Sequence, residues 1–188
     1  MISKQEKLRA QKKFKKLERH LVFCLRNRKE KIIRKVDKVT SKGGEKENAF
    51  IKLFLTPVLR NYFKDHCIEV IVEGVNSEGR TQFRNKFFGS KPAPDFLFRM
   101  DNQPKLFNNR HPIPFPLNTV GEVKYDKLTF RSFAIGLGQI IGYLNADKRF
   151  EYGYYIFFNK DLNKDITDKD KEFLNKLWEK ENIFVVII

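Results

Sequence analysis

The stretch Thr119-Val-Gly-Glu-Val-Lys-Tyr125 places two charged side chains in a short apolar segment of strand-forming composition. Alternate residues of a strand lie on the same face, so Glu122 and Lys124 are expected to point the same way. The apolar neighbours Val120 and Val123 are typical of a buried central strand, in which a charged pair needs a specific reason. The alternative, which stays open at this point, is that Glu122 and Lys124 form an exposed pair on a solvated strand. Such a pair would indicate no function.

The dipeptide Pro94-Asp95 begins the preceding predicted strand, residues 95–100. If this strand and strand 119–125 are antiparallel neighbours, Asp95 can reach Glu122; the alternative is that Asp95 is a simple turn residue. Two carboxylates are costly to hold together unless a cation neutralises them, and hard oxygen ligands suit Mg²⁺ or Mn²⁺. A lysine beside such a metal can orient or deprotonate a water and offset charge in a phosphoryl transition state.

The elements around these residues follow from hydrophobic periodicity and turn residues. The predicted helices are 45–63, with a kink at Pro57, 130–144 and 168–180. The predicted strands are 68–75, its hairpin partner 81–88, 95–100, 119–125, 152–158 and 183–188, and residues 101–118 are predicted to form a surface insertion. Successive strands followed by helical crossovers predict an α/β fold: a central mixed β-sheet flanked by helices, parallel where a helix connects two strands.

Taken together, these residues resemble the PD-(D/E)xK nuclease superfamily. The resemblance consists of Pro94-Asp95, the tripeptide Glu122-Val-Lys124, and the order helix, three strands, helix, strand. The next helix contains Gln139-Ile-Ile-Gly-Tyr143, which is similar to the Gln-x-x-x-Tyr element of the RecB and lambda-exonuclease branches. The resemblance covers residues 45–160. It implies a restriction-endonuclease-like fold and a magnesium-dependent deoxyribonuclease that hydrolyses phosphodiester bonds, with an endonuclease favoured over an exonuclease.

The resemblance also implies roles for individual residues. Asp95 and Glu122 would hold Mg²⁺ or Mn²⁺, and Lys124 would position the attacking water. Gln139 and Tyr143, one helical turn apart, would brace the site or contact the DNA backbone.

Members of the superfamily often add a glutamate from the first core helix. Here Glu47 is preferred as a third metal ligand, because apolar residues continue its face of the helix, and Glu45 is the alternative. Two features depart from the usual pattern. The separation between Asp95 and Glu122 is long, and the glycines at 136, 138 and 142 make the second helix glycine-rich, which would allow a backbone to approach closely.

The charge of the chain is uneven. The net charge is +15, and residues 1–42 contain 16 Lys or Arg against 4 Asp or Glu. Two predicted regions follow: a basic helical arm, 1–42, and a nuclease-like domain, 43–188, that begins at Gly43-Gly44. A polyanion is the expected partner, with DNA first and an anionic membrane second. The alternative explanation for the many lysines is codon bias, but such a bias would spread the charge evenly along the chain. Deleting the arm is therefore expected to weaken DNA binding more than the chemistry.

Several classes are disfavoured by composition. The two cysteines are far apart and the three histidines have no metal-ligand spacing, which argues against a disulfide scaffold, a zinc ribbon and a histidine-based metalloprotease. No apolar stretch approaches the roughly 20 residues of a membrane helix, and no signal sequence is evident. The expected protein is soluble and cytoplasmic, without a membrane partner.

Two further expectations concern partners. The stripe Phe14, Leu17 and Leu21 and the apolar C-terminal strand predict a symmetric homodimer, with burial of that strand by the arm of the same chain as the alternative. The function also has alternatives. One is a non-catalytic nucleic-acid-binding protein that keeps the nuclease fold, and another is a catalytic subunit that takes its sequence recognition from a partner subunit.

Overall fold

The computed structural model describes residues 2–41, 43, 45–64, 68–72, 94–100, 115–162 and 166–188. Several predictions lie outside these residues: the hairpin partner 81–88, the end of strand 68–75 and most of the insertion 101–118. No helix in the described ranges is long and apolar enough to cross a membrane.

The helices follow the predicted periodicity closely. They are α1 (Lys4–Leu25), α2 (Lys29–Thr40), α3 (Lys46–Phe50), α4 (Thr56–Phe63), α5 (Phe130–Ala146) and α6 (Asp168–Glu181), with a 3₁₀ turn at Arg26–Arg28 between α1 and α2. Capping boxes begin α1, α5 and α6, at Ser3, Thr129 and Thr167, and each satisfies backbone N–H groups that a helix start leaves without an intrahelical acceptor.

The predicted kink at Pro57 takes the form of a π turn. Residues Ile51–Leu55 form this turn between α3 and α4, and the N–H of Thr56 bonds to the carbonyl of Ile51, five residues back. Proline has no N–H and its ring crowds the carbonyl four residues earlier, so a wider turn before it relieves the helix.

In the part of the chain that the structure describes, five strands form one mixed sheet in the order β1-β2-β3-β4-β5. They are β1 (Ile68–Val72), β2 (Phe96–Met100), β3 (Thr119–Asp126), β4 (Tyr152–Asn159) and β5 (Ile183–Ile187). The first three are antiparallel neighbours, whereas β4 runs parallel to both β3 and β5. The parallel pairs are those joined through α5 and α6, as predicted, and β3 is the central strand.

Both faces of the sheet are covered. On one face, α1, α3 and α4 pack over alternate residues of the strands, including Val123 and Tyr125 of β3. On the other face, α5 packs over Val120 and over Tyr155 and Phe157 of β4. Glu122 and Lys124 alternate with Val123 and Tyr125, so they belong to the face that α5 covers.

Helix α1 packs into the core of the chain. Phe14, Leu17 and Leu21 are fully buried within this one chain, and Phe14 lies against Phe184 of the last strand. The alternative prediction, in which the N-terminal segment covers the C-terminal strand, therefore describes the packing of that face. Burial of the stripe also removes one of the two observations behind the predicted homodimer. Deletion of residues 1–42 would remove core side chains together with charge.

The glycines of α5 have unequal surroundings. A Cβ at Gly136 would lie 2.4 Å from the hydroxyl of the buried Tyr155, whereas a Cβ at Gly138 or Gly142 would meet nothing within 4 Å. A close approach to this glycine-rich helix was expected from a backbone. It occurs at Gly136, and the neighbour is the side chain of Tyr155.

Replacing Gly136 and Gly138 in turn by alanine tests this packing. Gly138→Ala should raise the free energy of unfolding by about 0.5–1 kcal/mol, because alanine favours the helix. Gly136→Ala should lower it by about 1–3 kcal/mol, because Tyr155 cannot retreat from a packed core. Urea denaturation measures both, and an equal gain in the two variants would contradict the contact.

Candidate active site

The central strand β3 has one edge that is only partly paired. It pairs with β4 over all eight residues, but its described pairing with β2 is limited to Gly121 with Phe96 and Val120 with Leu97. Pro94 lies just before β2 and has no N–H to donate, so it does not extend the ladder. Beyond Gly121, the described pairing with β2 offers no carbonyl to the N–H groups of β3 on this edge, so these groups need other acceptors.

Two carboxylates from distant parts of the chain supply these acceptors. The N–H of Val123 donates to Asp95 Oδ2 at 2.6 Å, and the N–H of Tyr125 donates to Glu47 Oε2 at 3.2 Å. Val123 and Tyr125 are two residues apart, so their N–H groups point to the same edge. Asp95 and Glu47 are thus held at consecutive positions along the open edge of the central strand.

Lys124 joins two of the predicted site residues. Its Nζ lies 3.0 Å from Glu47 Oε1 and 3.2 Å from Glu122 Oε1, with only 15% of its side chain exposed. Burial alone would lower the pKa of the Lys124 ammonium, but the charges of Glu122 and Glu47 outweigh it and raise that pKa. Lys124 is therefore a cation within a group of carboxylates.

Glu122 is the most buried ionisable group of the cluster, at 2% exposure. Burial raises its pKa to about 8, the charge of Asp95 adds to the rise, and Lys124 opposes it. The buried Tyr143 donates its hydroxyl to Glu122 Oε2 at 3.2 Å. The carboxylate is thus fixed by Lys124 at one oxygen and by Tyr143 at the other.

The predicted site residues fall into two sets. Glu47, Asp95, Glu122, Lys124 and Tyr143 gather around β3, as the hydrogen bonds and ion pairs above describe. Gln139 lies on α5 one turn before Tyr143 with its side chain exposed, and among the described contacts it takes no part in the hydrogen bonds of this cluster. Of the two candidate helix glutamates, Glu47 reaches β3, whereas Glu45 is exposed and accepts a hydrogen bond from Asn48.

Sequence reasoning missed the backbone of β3 as part of the site. The N–H groups of Val123 and Tyr125 orient Asp95 and Glu47, and no side-chain motif reports them. Pro94 is the signal that could have revealed this, because a proline at the start of a strand ends the pairing on one edge.

The donor set suits a hard divalent cation. Asp95 and Glu122 are close enough for the charge of one to raise the pKa of the other, and Mg²⁺ in proteins is commonly held by one or two carboxylates plus waters and substrate phosphate. The described residues do not, however, form a group of three or more His, Cys, Asp or Glu placed to hold a metal. Glu47 is instead engaged by Lys124 and the Tyr125 N–H. The fit is therefore to the pair Asp95 and Glu122.

The raised pKa of Glu122 predicts a pH-dependent stability. The native state keeps the Glu122 proton up to about pH 8, whereas the unfolded chain releases it near pH 4.5, so the free energy of unfolding falls as the pH rises through this window. The slope from this group is at most about 1.4 kcal/mol per pH unit.

Urea denaturation in EDTA at several pH values in this window tests that expectation. The wild type should lose stability with rising pH relative to Glu122→Gln, which has no proton to lose. Parallel pH profiles for the two proteins would contradict the raised pKa.

Comparison with known proteins finds no matching family model, no matching curated protein and no matching solved structure.

Proposed function

We propose that the protein is a metal-dependent DNA nuclease with a restriction-endonuclease-like fold, which hydrolyses phosphodiester bonds and acts as an endonuclease. One observation carries the proposal: the buried carboxylate of Glu122 lies on the central strand beside Asp95 and Lys124. Burying a carboxylate at this depth costs folding free energy. A site that binds a cation and a phosphate would explain why the chain keeps it there.

The arrangement of the sheet supports the same proposal. The Asp95 strand is antiparallel to the strand that carries Glu122 and Lys124, and α5, which carries Tyr143, follows that strand. These are the strand directions that the site requires, because they bring Asp95 level with Glu122.

The proposed roles follow from the contacts. Asp95 and Glu122 would hold the cation, Mg²⁺ or Mn²⁺, and Glu47 would keep the Lys124 ammonium in place beside them. The Lys124 ammonium would hold the attacking water and offset charge on the phosphate. Tyr143 would keep Glu122 oriented through its hydroxyl. A bound divalent cation would supply a water of lowered pKa and stabilise the leaving oxygen.

The test is cleavage of several DNA forms by the full-length protein. With Mg²⁺ or Mn²⁺ we expect closed circular DNA and linear DNA to be cut, and EDTA to abolish both reactions. Cleavage of linear but not circular DNA would replace the endonuclease by an exonuclease. Absence of cleavage of circular, linear, branched and single-stranded DNA would contradict a nuclease.

A second candidate is favoured by the same lysine. Lys124 already pairs with Glu47 and Glu122, so part of the carboxylate charge is compensated without any metal. This arrangement suits a protein that keeps the fold for binding nucleic acid without cutting it. The two candidates differ in whether a divalent cation binds at Asp95 and Glu122.

A further inference from the structure

A strongly cationic cleft lies outside the proposed active site. It has a volume of about 880 Å³ and lies between the 3₁₀ turn, α2 and Leu162 in the segment after β4. Its cationic lining residues are Arg26, Arg28, Lys29, Lys31, Arg34, Lys35 and Lys38. The only acidic residue in this lining, as the structure describes it, is Glu30.

One described ion pair joins two residues of the cleft lining. Glu30 pairs with Arg34 at 3.5 Å, but both side chains are largely exposed, so the pair is weak. The other acidic residue of the segment, Asp37, pairs with Lys46 of α3. Arg28, Lys31 and Lys38 are exposed on the cleft. Such a concentration of one sign of charge in a concave surface attracts a polyanion.

The cleft is held in place beside the proposed site. Lys29 Nζ donates to the carbonyl of Asp161 at 3.1 Å, which ties α2 to the end of β4. Helix α2 also packs against α3, the helix that carries Glu47. A phosphate chain that occupies the cleft therefore lies close to the end of the sheet where β3 presents its carboxylates.

The apolar side of α2 decides between the two kinds of polyanion. Ile32 and Val36 are buried in the core, at 1% and 0% exposure. A helix that binds a membrane surface must bury its apolar face in lipid, but the apolar face of α2 is already packed against the core. A rigid row of cations without a free apolar face suits the phosphates of nucleic acid.

We infer that this cleft binds the phosphate backbone of duplex DNA beside the cleavage site, independently of sequence. The inference rests on the proposed function for the choice of DNA as the polyanion. Residues 26–38 lie outside the segment that resembles the nuclease superfamily, so the cleft is a feature of this chain.

The test compares two triple variants of the full chain that lose the same charge. Arg28→Gln, Lys31→Gln and Lys38→Gln remove cations from the cleft, whereas Lys148→Gln, Lys169→Gln and Lys180→Gln remove exposed cations elsewhere. Fluorescence anisotropy measures binding to a short blunt-ended duplex in EDTA, from about 50 mM to about 200 mM salt.

We expect the cleft variant to bind on the order of 10²-fold more weakly near 0.1 M salt. Its slope of log affinity against log salt should fall by about 0.9 for each phosphate that the variant no longer neutralises, and the control variant should follow the wild type. Equal weakening of binding in the two variants, or unchanged binding by the cleft variant, would overturn the inference. So would cleft-dependent binding to anionic phosphatidylserine vesicles without cleft-dependent binding to DNA.

The same measurement separates this inference from the proposed function. Because binding is followed in EDTA, it does not depend on cleavage. DNA binding that depends on the cleft, without any cleavage, would contradict the proposed nuclease function but support the inferred role of the cleft. Cleavage together with binding that does not depend on the cleft would contradict only the inferred role of the cleft.

Discussion

Replacing Glu122 by glutamine is expected to reduce the rate of DNA cleavage by about 10³-fold or more, while the protein stays folded and still binds DNA. Glutamine keeps the size of the side chain and its hydrogen bond from Tyr143, but it cannot ionise to hold a cation beside Asp95. Lys124→Ala should reduce the rate by a similar factor, because it removes the ammonium that would hold the attacking water. Single-turnover cleavage with saturating protein measures both.

Asp126→Asn is the matched control for these variants. Asp126 ends the same strand, but it is exposed and pairs with Lys160 rather than with the site. Asp126→Asn makes the same replacement of a carboxyl group by an amide on β3 and should leave the rate within a few-fold of the wild type. Full residual cleavage by both Glu122→Gln and Lys124→Ala would show that the activity belongs to another site or to a contaminant.

Phe14→Ala is expected to have the largest effect on stability, a decrease of about 3–5 kcal/mol in the free energy of unfolding. Phe14 is fully buried on α1 and its ring centroid lies 5.2–5.8 Å from those of five aromatic residues: Phe115, Tyr152, Tyr154, Trp178 and Phe184. Truncation leaves a cavity at the point where α1, α6 and the sheet meet. Urea denaturation at constant pH measures the decrease.

Phe23→Ala provides the comparison on the same helix. Phe23 is 75% exposed, so its truncation should change the free energy of unfolding by about 0.5 kcal/mol or less. Similar small effects at both positions would mean that α1 is a detachable arm after all. A large effect at Phe14 alone would explain why deletion of residues 1–42 cannot report on charge.

Hydrophobic periodicity predicted most of the fold because each element buries one regular face. The apolar run in 152–158 and the three-to-four spacing in 130–144 reappear as β4 and α5 with boundaries shifted by one or two residues. The charge composition behind the predicted basic arm did not reveal how α1 packs, since the cations of α1 surround a narrow buried stripe. A density of lysine reports the exposed face of a helix and says nothing about what the other face contacts.

The candidate site was predictable in its side chains and less so in its geometry. The spacing of Glu122 and Lys124 fixed their common face, and Pro94 fixed the start of the Asp95 strand. The exposure of Gln139 was not visible from its spacing to Tyr143, because residues one turn apart can lie on either side of the boundary between buried and exposed surface. The contact between Lys124 and Glu47 joins residues far apart in sequence, which local patterns do not encode.

Calorimetric titration of Mn²⁺ into the metal-free protein tests the central claim most directly, because it needs no knowledge of the DNA substrate. The wild type should bind Mn²⁺ with release of a proton that increases as the pH is lowered below about 8, since Glu122 must ionise to bind. Asp95→Asn and Glu122→Gln should each abolish this binding, and Asp126→Asn should retain it. Absence of binding by the wild type, or unchanged binding by both Asp95→Asn and Glu122→Gln, would contradict a metal-dependent active site at β3.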